Sequence, residues 1–132
     1  MARGQLQVLV VEDQQLWREQ FFCESLQDLG FKVLLASTKD EALELVDKHT
    51  FDLAVIDINL TDVPGNTDGL DVTNYIERKG ITLPIIFVSG SEEGLRSARE
   101  NQDLVFAEIR KDAFNLDEFI LQVKMATDCA AN

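Results

Sequence analysis

The stretch that decides the fold is Leu53-Ala54-Val55-Ile56-Asp57: four apolar residues in unbroken succession, closed by an acid. A strand with one face in water alternates apolar and polar residues. A run that is apolar at every position belongs to a strand buried on both faces, as in a parallel sheet sandwiched by helices. Upstream, Leu6-Gln7-Val8-Leu9-Val10-Val11 reads the same way and ends in Glu12-Asp13. Downstream, Pro84 opens Ile85-Ile86-Phe87-Val88, which runs into Ser89-Gly90. Lys32 to Ala36 and Val105 to Arg110 supply two further strands, the last followed by Lys111.

Amphipathic stretches lie between these runs. Leu16 to Leu29 has helical spacing, and Gly30 is placed to stop it. Thr38-Lys39-Asp40-Glu41 has the form of a capping box ahead of Ala42, Leu43, Leu45 and Val46. A polar loop from Asn59 to Asp68 leads to a helix through Leu70, Val72, Tyr75 and Ile76. A weaker helix is expected from about Glu92 to Gln102. The last starts near Asn115 and presents Leu116, Phe119, Ile120 and Val123 on one face. Five β–α units in succession predict an α/β fold, a doubly wound five-stranded parallel sheet. The 132 residues make one domain, 1–132, with its core over about 5–128. Little beyond one helix follows Lys111, so no output domain is expected.

Composition narrows the function. A net charge of −12 disfavours direct nucleic-acid binding, which requires a basic footprint. No apolar run is long enough to span a bilayer, and the N-terminus lacks a signal-peptide pattern, so no membrane and a cytoplasmic location are expected. Cys23 and Cys129 have no metal-like spacing and read as incidental thiols. His49 sits in the polar stretch Lys48-His49-Thr50 and reads as a surface residue. A transition-metal site is not expected from one His and no CxxC.

In open parallel α/β sheets, ligands bind outside the carboxyl ends of the strands. Glu12-Asp13, Asp57, Ser89-Gly90 and Lys111 occupy four of those five ends. Singly, each has a plain explanation: an acid at a strand end is often a helix N-cap, a serine serves a turn, a lysine is solvated. Together they bring three carboxylates, a hydroxyl and a cation to one rim. Carboxylates that close repel by about 1 to 4 kcal/mol per pair at surface-like dielectric. A divalent ion removes that repulsion, and Mg²⁺ favours one or two carboxylates with waters and a phosphate. A metal beside Asp57 could neutralise an incoming phosphoryl group, with Lys111 and Ser89 on its other oxygens.

These residues resemble the receiver domains of bacterial response regulators, over residues 5 to 128. Val10-Val11-Glu12-Asp13 is similar to the family's acidic pair. Val55-Ile56-Asp57-Ile58-Asn59-Leu60 resembles the phosphoacceptor segment. Pro64-Gly65 and Asp68-Gly69-Leu70 resemble the loop after it, Pro84 to Gly90 the fourth strand with its hydroxyl, and Lys111 the family's lysine. The resemblance implies a flavodoxin-like (βα)5 fold with strand order 2-1-3-4-5. It implies that Asp57 attacks a phosphohistidine on a partner histidine kinase or phosphotransfer protein, or a small phosphodonor. Mg²⁺ would be held by Asp13, Asp57 and the backbone carbonyl of Asn59, with Glu12 acting through metal-bound water. Ser89 would swing towards the phosphate and alter a surface read by a downstream protein target. Such a domain catalyses its own phosphotransfer and dephosphorylation and is not a turnover enzyme.

Three departures from the family pattern stand out. The loop after Asp57 is longer than usual, with Thr61-Asp62-Val63 as the surplus. Asp112 follows Lys111 where the family has proline and a cis bond. Glu108 stands where an aromatic switch residue is usual. Strand alternation would put Phe106 on the face of Glu108, so the outward signal is expected as a shift of the helix over 92–102, with Phe106 packed against it and Glu108 in solvent. Two other readings stay open. One is a constitutive interaction module in which phosphorylation is minor. The other is an aspartate-nucleophile phosphatase, whose second Asp would stand where Asn59 is. A dinucleotide-binding domain lacks its G-x-G-x-x-G.

Overall fold

The computed structural model describes residues 5–131 apart from 62, 64, 91, 93 and 97–104, with side chains as far as residue 128. Five parallel strands, β1 (Gln7–Val11), β2 (Lys32–Ala36), β3 (Leu53–Asp57), β4 (Ile85–Ser89) and β5 (Val105–Arg110), form one sheet in the order β2-β1-β3-β4-β5. The expected fold class and strand order are both present. β3 is buried along its whole length, as its unbroken apolar run requires.

Each strand feeds alternate side chains to two core layers. Leu9, Val11, Ala54, Ile56, Ile85 and Phe87 meet α2 (Lys39–Lys48) and α3 (Asp68–Arg78) on one face. Val8, Val10, Leu53, Val55, Ile86 and Val88 meet α1 (residues 16–28) and the C-terminal helix (Leu116–Ala131) on the other. Here α1 has two parts, Leu16–Glu24 with i to i+5 hydrogen bonding and Ser25–Asp28 with ordinary α bonding. Burying one such Leu, Ile or Phe contributes about 1.5 to 3 kcal/mol. Ile56 and Ile58, both fully buried, thus hold the end of β3 firmly around Asp57.

Helix ends follow the sequence signals, with two refinements. Gly30 takes φ +92, and its N–H donates to Gln27 O while that of Phe31 donates to Leu26 O, so α1 stops where expected. Thr38 accepts the Glu41 N–H, but Glu41 reaches back to the N–H and hydroxyl of Ser37, one residue earlier than the capping-box form predicts. Asn115 caps the C-terminal helix by accepting the Glu118 N–H. That helix buries Phe119, Val123 and Ala126, whereas Leu116 is exposed, against the expectation of a shared face. Of the helix expected over 92–102, residues 94–96 are helical and Leu95 is buried, and most of the remainder lies outside the described residues.

The main correction concerns β5. A register shift between Ile85 and Ile86 pairs them with Val105 and Ala107, which makes Phe106 the extra residue of a β-bulge. The bulge reverses the alternation. Phe106 and Ala107 both pack on the layer of α1 and the C-terminal helix, while Glu108 pairs with Phe87 on the opposite layer, where Leu95 lies. Phe106 therefore does not share a face with Glu108, and Glu108 is half-buried rather than solvent-facing.

Candidate functional site at the strand carboxyl ends

The order β2-β1-β3 makes β1 and β3 neighbours whose outgoing connections cross opposite faces of the sheet, which leaves a crevice at their carboxyl ends. Val11 pairs with Ile56, so Glu12 and Asp57, one residue on, stand side by side. Asp57 pairs with Val88, which sets Ser89 next along the rim, and Ser89 pairs with Arg110, which precedes Lys111. Sheet register alone assembles the predicted set.

The Lys111 ammonium is at its centre. Its Nζ lies 2.9 Å from Glu12 Oε1, 3.0 Å from Glu12 Oε2 and 3.2 Å from Asp57 Oδ2. It also donates to Gln14 Oε1 at 3.3 Å and sits 5.1 Å from the centre of the Trp17 ring. No peptide bond among the described residues is cis, and Lys111 opens a 3₁₀ turn, Lys111–Ala113, from which its side chain reaches Asp57. The second oxygen of Asp57, Oδ1, accepts the Asn59 N–H at 3.1 Å.

Burial makes this cluster costly when bare. Glu12 is fully buried, and loss of hydration together with the nearby Asp57 charge pushes its carboxyl up to about 8 despite the Lys111 partner. Asp57, 3% exposed, is also raised, chiefly by burial and against the opposing pull of Lys111. Glu12, Asp13 and Asp57 each offer an oxygen, all within 4.8 Å of one another. Glu12 Oε1 is buried and accepts no aligned hydrogen bond, although the ammonium stands close by. An all-oxygen donor set carrying excess negative charge suits a hard divalent cation. This cluster could hold a metal.

A cleft of 140 Å³ opens over Asp57, lined by Asp13, Gln14, Asn59, Thr61, Gly90 and Lys111. Glu12 does not line it. Ser89 is fully buried and turned away, its Oγ donating to Asn59 Oδ1 at 3.1 Å. Asn59 in turn donates from Nδ2 to Asn66 O at 2.5 Å. Its side chain is thus engaged by both Ser89 and Asn66.

Three residues of the site, Asn66, Gln14 and Trp17, escape a reading of the sequence, and a fourth, Gly69, shows its role only in the structure. Asn66 closes the long loop, its Oδ1 accepting the N–H groups of Leu60 and Asp68. Gly69 brings the start of α3 against β3: a Cβ there would collide with Asp57 O and come within 2.7 Å of Ile58 Cα. Gln14 and Trp17 touch Lys111. Gly69 has a signal, a glycine at the start of an apolar helix, but Asn66, Gln14 and Trp17 carry none. Of the surplus loop residues, Asp62 lies outside the described set, and Val63 is exposed.

The sequence model of the response regulator receiver domain matches residues 8–123. The chain belongs to that family. Among similar proteins, the sensor histidine kinase RcsC of Salmonella typhimurium (strain LT2) is 29% identical over 105 residues, covering 77% of this chain and 10% of the kinase. A putative response regulator, NtrX-like, of Rickettsia typhi (strain Wilmington) is 27% identical over 125 residues, covering 95% of this chain and 26% of that protein. The chain thus spans a tenth of the first and about a quarter of the second. The crystal structure of a CheY-like receiver domain from Methanospirillum hungatei JF-1 shares the fold, with TM-score 0.78 at 23% identity over 97% of this chain and 98% of that one. No helix among the described residues is long and apolar enough to cross a membrane.

Proposed function

We propose that this receiver domain is a phosphoacceptor switch that takes a phosphoryl group onto Asp57 in a Mg²⁺-dependent reaction. The donor is a phosphohistidine on a sensor histidine kinase or a histidine phosphotransfer protein, and the reader is a downstream protein target. The observation that carries this reading is the Lys111 ammonium, 3.2 Å from Asp57 Oδ2 at the edge of an open cleft. A carboxylate beside a fixed cation, within a metal-ready acid cluster, is arranged to attack phosphorus rather than to cap a helix. An Asp57 oxygen forms the new bond to phosphorus, and the donor's leaving group departs with the electron pair of the bond that breaks.

Mg²⁺, when bound, supplies positive charge against the phosphoryl oxygens and relieves the repulsion among the acids. Asp13, Asp57 and the Asn59 carbonyl would hold it, with Glu12 acting through metal-bound water. Lys111 pairs with a phosphoryl oxygen. Ser89 must leave Asn59 to reach another, and that movement starts the outward signal. The domain acts once on itself in each cycle and is not a turnover enzyme. We assign it to the cytoplasm, where nucleotide-fed kinases work. Incubation with acetyl phosphate and Mg²⁺ should add one hydroxylamine-labile phosphoryl group, read by intact-protein mass. Label that persists in Asp57→Ala would overturn the assignment.

A further inference from the structure

We propose that Trp17 is a positioning residue for Lys111: its indole face holds the ammonium at the angle from which it reaches Asp57. The proposal rests on the phosphoacceptor reading and adds a residue to it. The ammonium is 5.1 Å from the ring centre, inside the distance at which a cation is attracted by the ring's electron-rich face. It is also largely out of water, its side chain 12% exposed, which strengthens such a contact.

The ring itself is fixed. Trp17 packs edge-on against Phe114 with centroids 5.0 Å apart, and lies 4.7 Å from Phe21 and 5.7 Å from Phe22. Phe114 directly follows the turn that begins with Lys111. The same aromatic group therefore anchors both the backbone that carries Lys111 and the ammonium at its tip. The neighbouring Arg18 donates from Nη1 to the carbonyls of Glu12 and Asp13 at 3.1 and 3.2 Å. Two adjacent residues of α1 thus hold the cation and the acid-bearing turn. Both lie in the stretch of i to i+5 bonding, a helix form that recurs at functional sites.

An apolar filler at position 17 would only need volume, whereas a positioning role needs the π face. Trp17→Phe keeps the face and Trp17→Leu removes it, while both keep an apolar side chain against Phe114. In the full chain, labelling by acetyl phosphate with Mg²⁺ should slow by about tenfold in Trp17→Leu and by no more than about threefold in Trp17→Phe. Melting temperatures, measured in parallel, identify any variant that fails to fold. Independently of phosphorylation, the Lys111 Hε protons should show an upfield ring-current shift in the parent and in Trp17→Phe, assigned by its disappearance in Lys111→Met. That shift should be absent in Trp17→Leu. Equal labelling rates in two folded variants, or a parent with no ring-current shift, would overturn the role of Trp17. A parent that takes no label at all would instead sink the phosphoacceptor reading and the rate effect with it, while the ring-current shift would still report the contact.

Discussion

Two carboxylates that ionise poorly next to one lysine set the pH behaviour of the site. Glu12 is pushed up to about 8 by burial and by Asp57, and Asp57 is raised as well. A carboxyl whose folded pKa exceeds its unfolded value binds its proton more tightly in the native state. Folding is then favoured at low pH and loses stability as pH rises from the ordinary Glu range near 4.5 towards 8. Urea unfolding in the presence of a chelator should show this protein less stable at pH 8 than at pH 5.5 by about 1 kcal/mol or more. Glu12→Gln should remove most of that dependence, because it abolishes the buried charge while Lys111 keeps Asp57 as its partner. A slope unchanged in Glu12→Gln would place its origin elsewhere. Metal bound at the site should act in the same direction as the mutation, by offsetting the charge.

At the scale of elements, the β3–α3 connection is the most closely specified. The Gly69 N–H donates to Ile58 O, which brings the α3 backbone so near β3 that no side chain fits at 69. Gly69→Ala must push either α3 or the phosphoacceptor strand aside. It should destabilise the fold by about 1 to 3 kcal/mol and slow acetyl phosphate labelling at least severalfold. Labelling at the parent rate would mean that α3 alone yields. Most of this architecture is readable in the sequence, because the apolar runs Leu53 to Ile56 and Ile85 to Val88 are too short for buried helices, rich in β-branched residues and bounded by Asp52 and Asp57 or by Pro84 and Ser89. The residues at the strand ends follow from the same runs, so the acids Glu12, Asp13 and Asp57, the hydroxyl of Ser89 and the cation Lys111 are all readable there. What is not readable depends on register and on side chains meeting across the fold. The bulge at Phe106 arises from pairing with Ile85 and Ile86, and no local pattern in Val105-Phe106-Ala107-Glu108 announces it. Asn66 likewise looks like any loop asparagine until its Oδ1 is seen to accept two backbone N–H groups.

For the whole molecule, the sheet separates two core layers, and the site touches both. Lys111 connects through Trp17 and Phe114 to the layer of α1 and the C-terminal helix. Asn59, Asn66 and Gly69 connect Asp57 to the layer of α3. Glu108 faces the layer that includes Phe87 and Leu95, whereas Phe106 faces the other, so the two residues report on opposite sides of the sheet. A ligand bound at the rim should therefore stabilise the molecule globally rather than one flank of it. A cation that binds the folded state alone adds RT ln(1 + [L]/Kd), about 2.7 kcal/mol at a hundred times Kd. Magnesium chloride, set against sodium chloride of equal ionic strength, should raise the melting temperature of the parent by several degrees. Asp13→Asn should lose most of that rise, since it removes a carboxylate that faces the cleft. The same variant should be no less stable than the parent in chelator, because one source of repulsion has gone. A magnesium response that survives in Asp13→Asn would show that the ion stabilises the fold from somewhere other than this rim.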